Sequence, residues 1–169
     1  MLINTAKFKS ISYNEGEAIW ISAKDGILPF DFDVEEDITK NVQSMDIVCS
    51  FLDDVDSLTE KAINYLKATL EKEQASEDDG VVKFYLEFHR DELGLEYLQK
   101  MLPDSDVKNI SLLEMIDKLK MIRFGSIIDT YTNEQVFIMD FSLNKEFSDE
   151  LLIVYFKTNK ELLKISHES

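Results

Sequence analysis

The order of apolar and polar positions divides the chain into a short β-type stretch, a block of helical periodicity and a second β-rich block. Phe8 to Tyr13 alternates loosely, and Ala18 to Ser22 is more fully apolar. Asn14-Glu15-Gly16 lies between them and predicts a hairpin, because a glycine in a short link supplies the turn. Lys24-Asp25-Gly26 predicts a second turn. Ile27 to Phe32 predicts a third strand, at an edge or irregular, since Pro29 has no N–H for a ladder.

The period then changes. Asp33 with Glu36 has the spacing of a capping box, and predicts a helix start. Ile38, Val42, Met45, Cys49 and Leu52 follow at spacings of four, three, four and three, one face of a helix. Ser57 with Glu60 repeats the capping spacing, and Ala62, Ile63, Leu66 and Leu70 form the next face. The short link Asp53 to Asp56 predicts an antiparallel helix pair. Gln74 to Gly80 is polar and reads as a loop.

Residues 81–102 carry both periods. Val82, Phe84, Leu86 and Phe88 alternate, whereas Leu86, Leu93, Tyr97 and Met101 fit a helix. Helix is preferred, because a stretch of about 20 residues without a turn signal is too long for a typical strand. Pro103-Asp104 ends it. Ser111 with Glu114 caps a last short helix carrying Leu112, Met115, Ile116 and Leu119. Four β-rich runs follow: Ile122–Thr130, Val136–Leu143, Leu151–Lys157 and Leu162–His167. Short polar links between them predict an antiparallel meander. The expectation is one α+β domain over residues 1–169, an antiparallel sheet (N-terminal hairpin plus C-terminal four-strand meander) packed against several helices.

Several of these segments carry a resemblance. The run Val82 to His89, the strand Val136 to Ser142, the stretch Ser148 to Phe156 and the ending Ile165 to Ser169 resemble the bacterial family called domain of unknown function two-thousand-and-four, over roughly residues 60–169. The resemblance brings no established enzymatic activity. It implies a likeness to small bacterial domains proposed as toxin-neutralising immunity proteins.

Charge narrows the partners. The 34 Asp plus Glu face 18 Lys plus Arg, a net charge of −16. Peaks lie at Asp31 to Asp37, at Asp53, Asp54 and Asp56, and at Glu77, Asp78 and Asp79. Such a surface repels nucleic acid and anionic membranes and suits a basic protein. Arg90 and Arg123 are the two arginines, few for bidentate phosphate binding. The opening MLINTAKFKS lacks the apolar stretch of a signal peptide, no run of about 18 apolar residues occurs, and Cys49 stands alone. A cytoplasmic protein is expected.

Candidate chemistry is sparse. His89 and His167 lack metal-ligand spacing, and no metal or cofactor is expected. Cys49 lies in an apolar stripe and reads as a packed thiol. Asp129 and Asp140, with a histidine, form the one conceivable acid–base set, but Asp140 points to the face opposite Met139 and Phe141. Asp31, Asp33 and Glu35 mimic the start of a calcium loop, yet Glu36 stands where glycine is needed. The glycines are isolated, so no phosphate loop exists. The expectation is a non-catalytic acidic binding module of immunity type, with Asp53, Asp54 and Asp56 as its partner-binding residues and a basic toxin domain as its partner. The alternatives are a structural or regulatory homodimer, and an enzyme using Asp129, Asp140 and a histidine.

Overall fold

The computed structural model describes residues 1–77 and 79–169; Asp78, of the third charge peak, lies outside the described residues. The protein is α+β. Among the described residues, eight strands are Leu2–Ile3 (β1), Ile11–Ser12 (β2), Ile19–Ile21 (β3), Asp31–Val34 (β4), Lys120–Ile128 (β5), Gln135–Ser142 (β6), Leu151–Lys157 (β7) and Leu162–Glu168 (β8). The described residues also form six α-helices, Glu36–Thr39 (α1), Val42–Asp53 (α2), Val55–Gln74 (α3), Val81–Glu87 (α4), Leu95–Met101 (α5) and Leu112–Ile116 (α6).

The C-terminal meander forms as its β-rich runs predict: β5, β6, β7 and β8 pair antiparallel in sequence order. The N-terminal hairpin forms differently. β2 pairs with β1, bringing Ile11 opposite Ile3, and β3 pairs with β4. The Asn14-Glu15-Gly16 link therefore connects two sheets instead of closing a hairpin, with Gly16 at φ +76°. β4 then joins β5 in parallel, which extends the meander to six strands in the order β3-β4-β5-β6-β7-β8. Between β4 and β5 run all six α-helices, the long crossover that a parallel pair requires. Pro29 sits ahead of β4, in an irregular stretch that still buries Leu28 and Phe30.

Two helix starts move for physical reasons. Asp33 is an interior β4 residue, held by its pairing and by Arg123, and Glu35 occupies the cap position of α1. Asn41 caps α2, its Oδ1 accepting from Ser44 N at 3.1 Å. This new start breaks the expected stripe: Val42 is 59% exposed, while Met45, Val48, Phe51 and Leu52 are buried. Cys49 is half-buried at the rim of the core, and desolvation raises its thiol pKa. Ser57 lies inside the first turn of α3 and donates to Asp54 O at 2.9 Å, so it caps nothing. The third box forms as read, with Ser111 Oγ accepting from Glu114 N and Glu114 accepting from Ser111 N.

The helices pack on one face of the large sheet. Phe51 of α2 stacks on Phe124 and Phe137 and meets Phe156 edge-on. Strand alternation sends Met139, Phe141, Leu152 and Val154 to the same side. On the opposite face stand Trp20, Asp33, Arg123, Asp140, Ile153 and Tyr155. No helix of the described residues is long and apolar enough to cross a membrane.

Candidate partner-binding site

The acidic turn that the sequence singles out is engaged internally. Asp54 Oδ2 accepts from Lys160 Nζ at 2.6 Å, and the same ammonium lies 2.6 Å from Ser50 Oγ. Lys160 has φ +68°, a left-handed conformation, so Asp54 helps to hold an unfavourable turn between β7 and β8. Asp56 pairs with Lys7, and Asp53 Oδ1 accepts from Ala6 N at 2.7 Å. The three carboxylates tie the N-terminal segment and the β7–β8 turn to the α2–α3 junction.

The acid–base set is not assembled. Asp129 lies in the β5–β6 turn and accepts from Tyr131 N and Thr132 N, which lowers its pKa. Asp140 stands five residues beyond Gln135 along β6, roughly 17 Å at strand rise. Its Oδ2 accepts from Arg123 at 3.1 Å, and Arg123 also forks onto both oxygens of Asp33 at 2.7 and 2.9 Å. Asp140 is 1% exposed; desolvation pushes its pKa up to about 6 against the opposing pull of Arg123, and its Oδ1 has no partner among the described residues.

Both histidines lie on the helix-packed side instead. His89 is fully buried: Nδ1 donates to Tyr85 O at 2.7 Å, and Nε2 accepts from the Ser148 hydroxyl at 2.9 Å. Desolvation lowers its pKa and keeps it neutral. His167 pairs with Glu150. The Ser148–His89 contact ties the β6–β7 loop to the turn that follows α4. No cluster of three or more metal-ligating side chains occurs among the described residues.

The residues with exposed binding chemistry lie in the segment whose period was ambiguous. Val82, Tyr85, Leu86 and His89 turn inward at spacings of three, one and three. A π-turn covers Phe88–Glu92, with Leu93 N donating to Phe88 O at 3.1 Å. Such wide turns inside helices frequently mark functional sites. Gly94, at φ +82°, then breaks the helix before α5.

With Tyr85 and His89 facing the core, Phe84 and Phe88 point outward, and Phe84 is 54% exposed. They line a concavity of about 270 Å³ together with Glu87, Asp91 and Glu92. Two aromatic rings and three carboxylates make this wall, and no cation contributes to it. Arg90 is drawn aside into a two-point pair with Asp91, at 2.7 and 2.8 Å. Glu87 and Glu92 make no ion pair within 4.0 Å among the described residues. This wall can receive a cation over an aromatic face with carboxylates at its rim.

The signal for this site was in the sequence, in the inward set of Tyr85 and His89. Two amphipathic residues on the buried face leave Phe84 exposed and Phe88 half-buried on the other. No family model, no curated protein and no solved structure matches the chain.

Proposed function

We propose that this protein is a non-catalytic binding module for a basic protein, and that the concavity walled by Phe84, Glu87, Phe88, Asp91 and Glu92 receives a lysine or arginine of that partner. The carrying observation is the exposed ring of Phe84 beside the half-buried Phe88, set among three carboxylates of which Glu92 has no ion pair among the described residues. The exposed ring of Phe84 leaves apolar surface in water that an interface would bury favourably, and the −16 charge would speed encounter with a basic surface. The immunity-type role, as neutraliser of a basic toxin domain, agrees with the family resemblance over residues 60–169 and with this charge. Asp53, Asp54 and Asp56 add to the long-range field but are second to the concavity, because each already has a partner.

The test uses an oligolysine peptide as probe and measures association by surface interferometry at two salt concentrations. Phe84→Ser leaves the net charge unchanged and should weaken binding about fivefold, whereas Asp56→Asn removes a charge and should change it less than twofold. Equal affinity of wild type and Phe84→Ser would overturn the assignment of the site.

A second reading has its own observation. Trp20 is 66% exposed on the helix-free face of the sheet, opposite Asp33 in register and beside the Arg123 cluster. That face would suit self-association into a homodimer. Native mass measurement at micromolar concentration, with Trp20→Ser as control, separates it: a dimer lost on substitution supports this reading, and a monomer removes it.

A further inference from the structure

The large sheet ends in two unequal edges. β3, at one end, is three residues long, and short edge strands resist pairing with other chains. β8, at the other end, runs for seven residues, contains no proline and pairs with β7 alone. Alternate residues of β8 therefore aim backbone N–H and C=O groups away from the sheet, where no strand receives them. α4 lies over one face of β8, with the Phe84 and Tyr85 rings 5.5 and 5.8 Å from His167, and adds nothing to the ladder. The one irregularity in the β7–β8 register falls at Leu163, so Lys164 to Glu168 is regular strand. A lysine often guards such an edge. Here Lys164 leans back across its own sheet, its Nζ 4.5 Å from the centre of the Tyr155 ring and 3.8 Å from Asp129 Oδ2.

The charges along this edge complement themselves. Lys164 and Ser166 both meet Tyr155 on the helix-free face, with Ser166 Oγ 3.5 Å from Tyr155 Oη, and Glu168 follows on that face by alternation. Lys164 and Glu168 stand four residues apart, roughly 13 Å at strand rise, too far to pair with each other. Glu168 is exposed and has no ion pair among the described residues. When a strand pairs antiparallel with a second copy of itself, residues of one face stand opposite each other, so the two-fold axis passes through a residue. An axis through Lys164 sets lysine against lysine. An axis through Ile165 sets Lys164 opposite Ser166, and one through His167 sets Ser166 opposite Glu168. The axis through Ser166 sets Lys164 of each copy opposite Glu168 of the other, twice. We propose that the protein forms a homodimer by this last pairing, with one sheet running through both copies. Opposite charges placed directly across a ladder are favourable, and the new backbone bonds satisfy the open edge. On the helix-packed side Ile165 faces His167 of the other copy. The Lys164 ammonium exchanges its 3.8 Å contact with Asp129 for Glu168 of the other copy. This dimer uses a different surface from Trp20 and does not depend on the basic-partner reading.

Charge exchange tests the pairing. Sedimentation equilibrium of the full chain is run from micromolar to near-millimolar protein, at about 0.15 M salt so that long-range repulsion between two acidic molecules is largely screened. The wild type should dimerise. Lys164→Glu and Glu168→Lys each set like charges opposite one another and should each weaken the dimer about tenfold. The double variant, Lys164→Glu with Glu168→Lys, restores opposite charges and should recover wild-type association. Trp20→Ser should leave it unchanged. A wild type that stays monomeric at near-millimolar concentration would overturn the proposal. So would a dimer indifferent to the single reversals, a double variant that does not recover, or a dimer lost on Trp20→Ser, which would assign association to the helix-free face instead. Circular dichroism melts of the single variants, expected within a few degrees of wild type, guard against loss of fold as the cause.

Discussion

Two acidic regions of similar sequence density do opposite things in this molecule. At the α2–α3 junction, Asp53, Asp54 and Asp56 meet Ala6 N, Lys160 and Lys7. On the outer wall of α4 and the π-turn, Glu87 and Glu92 line a concavity with two phenylalanine rings and form no ion pair within 4.0 Å among the described residues, although Glu87 feels the charge of Arg90. The first group holds distant segments together, and the second presents charge to a partner. Linear charge density does not distinguish them. What distinguishes them is whether the fold brings a lysine within reach, and whether an aromatic side chain is left outside the core.

The largest expected effect breaks the deepest of the engaged acids. Arg123→Ala leaves Asp140 and Asp33 without their shared cation on the sheet. Removing one partner of a buried ion pair costs about 3–5 kcal/mol, so urea denaturation should show a loss of that order. A loss under 1 kcal/mol would mean that the Arg123 cluster is not holding β4 to β5 and β6.

Asp140 supplies a pH-dependent version of the same test. Its native pKa, about 6, lies above the carboxylate range of an unfolded chain, so the native state retains the proton to higher pH. The contribution of this group to stability is therefore full below about pH 4 and is lost as pH rises through 6. Asp140→Asn removes that loss. Relative to wild type, the variant should gain on the order of 2 kcal/mol between pH 4 and pH 7. A wild-type-minus-variant difference that stays flat over this interval would show that Asp140 titrates normally.

Replacing Asp53, Asp54 and Asp56 together by asparagine comes next. Relief of mutual repulsion predicts a small gain in stability when the turn is read from sequence alone. With the lysine partners in view the expectation reverses, to a loss of about 1–2 kcal/mol, since each exposed pair contributes about 0.2–1 kcal/mol and the Ala6 contact is charge-assisted. Unchanged or raised stability would show that the pairs are not formed in solution. The smallest effect belongs to the other region: Glu87→Gln with Glu92→Gln should alter stability by less than about 0.5 kcal/mol, because neither carboxylate supports the fold.

The C-terminal half was the most legible part of the chain. Strands β5 to β8 follow directly from their β-rich runs and polar links, and α6 from its capping box. The N-terminal half was less so, because strand pairing there is decided by partners far along the chain. Asp33 looks like a helix cap until Arg123, ninety residues on, takes it into the sheet. The candidate site fell between these cases. Alternating and helical periods overlap over Val81 to Leu102 because the segment is a helix interrupted by a π-turn and by Gly94, and neither regular period describes it. The lysines that engage Asp54 and Asp56 lie far off in sequence, at Lys160 and Lys7, so their engagement was invisible to any local reading.

The central claim is that the carboxylates of the α4 wall, and not those of the α2–α3 junction, receive a basic partner. Amide chemical-shift mapping of the isotopically labelled protein, titrated with the oligolysine peptide, tests it most directly. The account predicts saturable shifts concentrated at Phe84 to Glu92, with Asp53 to Asp56 and Lys160 nearly still. Shifts concentrated at Asp53 to Asp56, or spread evenly over every acidic segment, would contradict it.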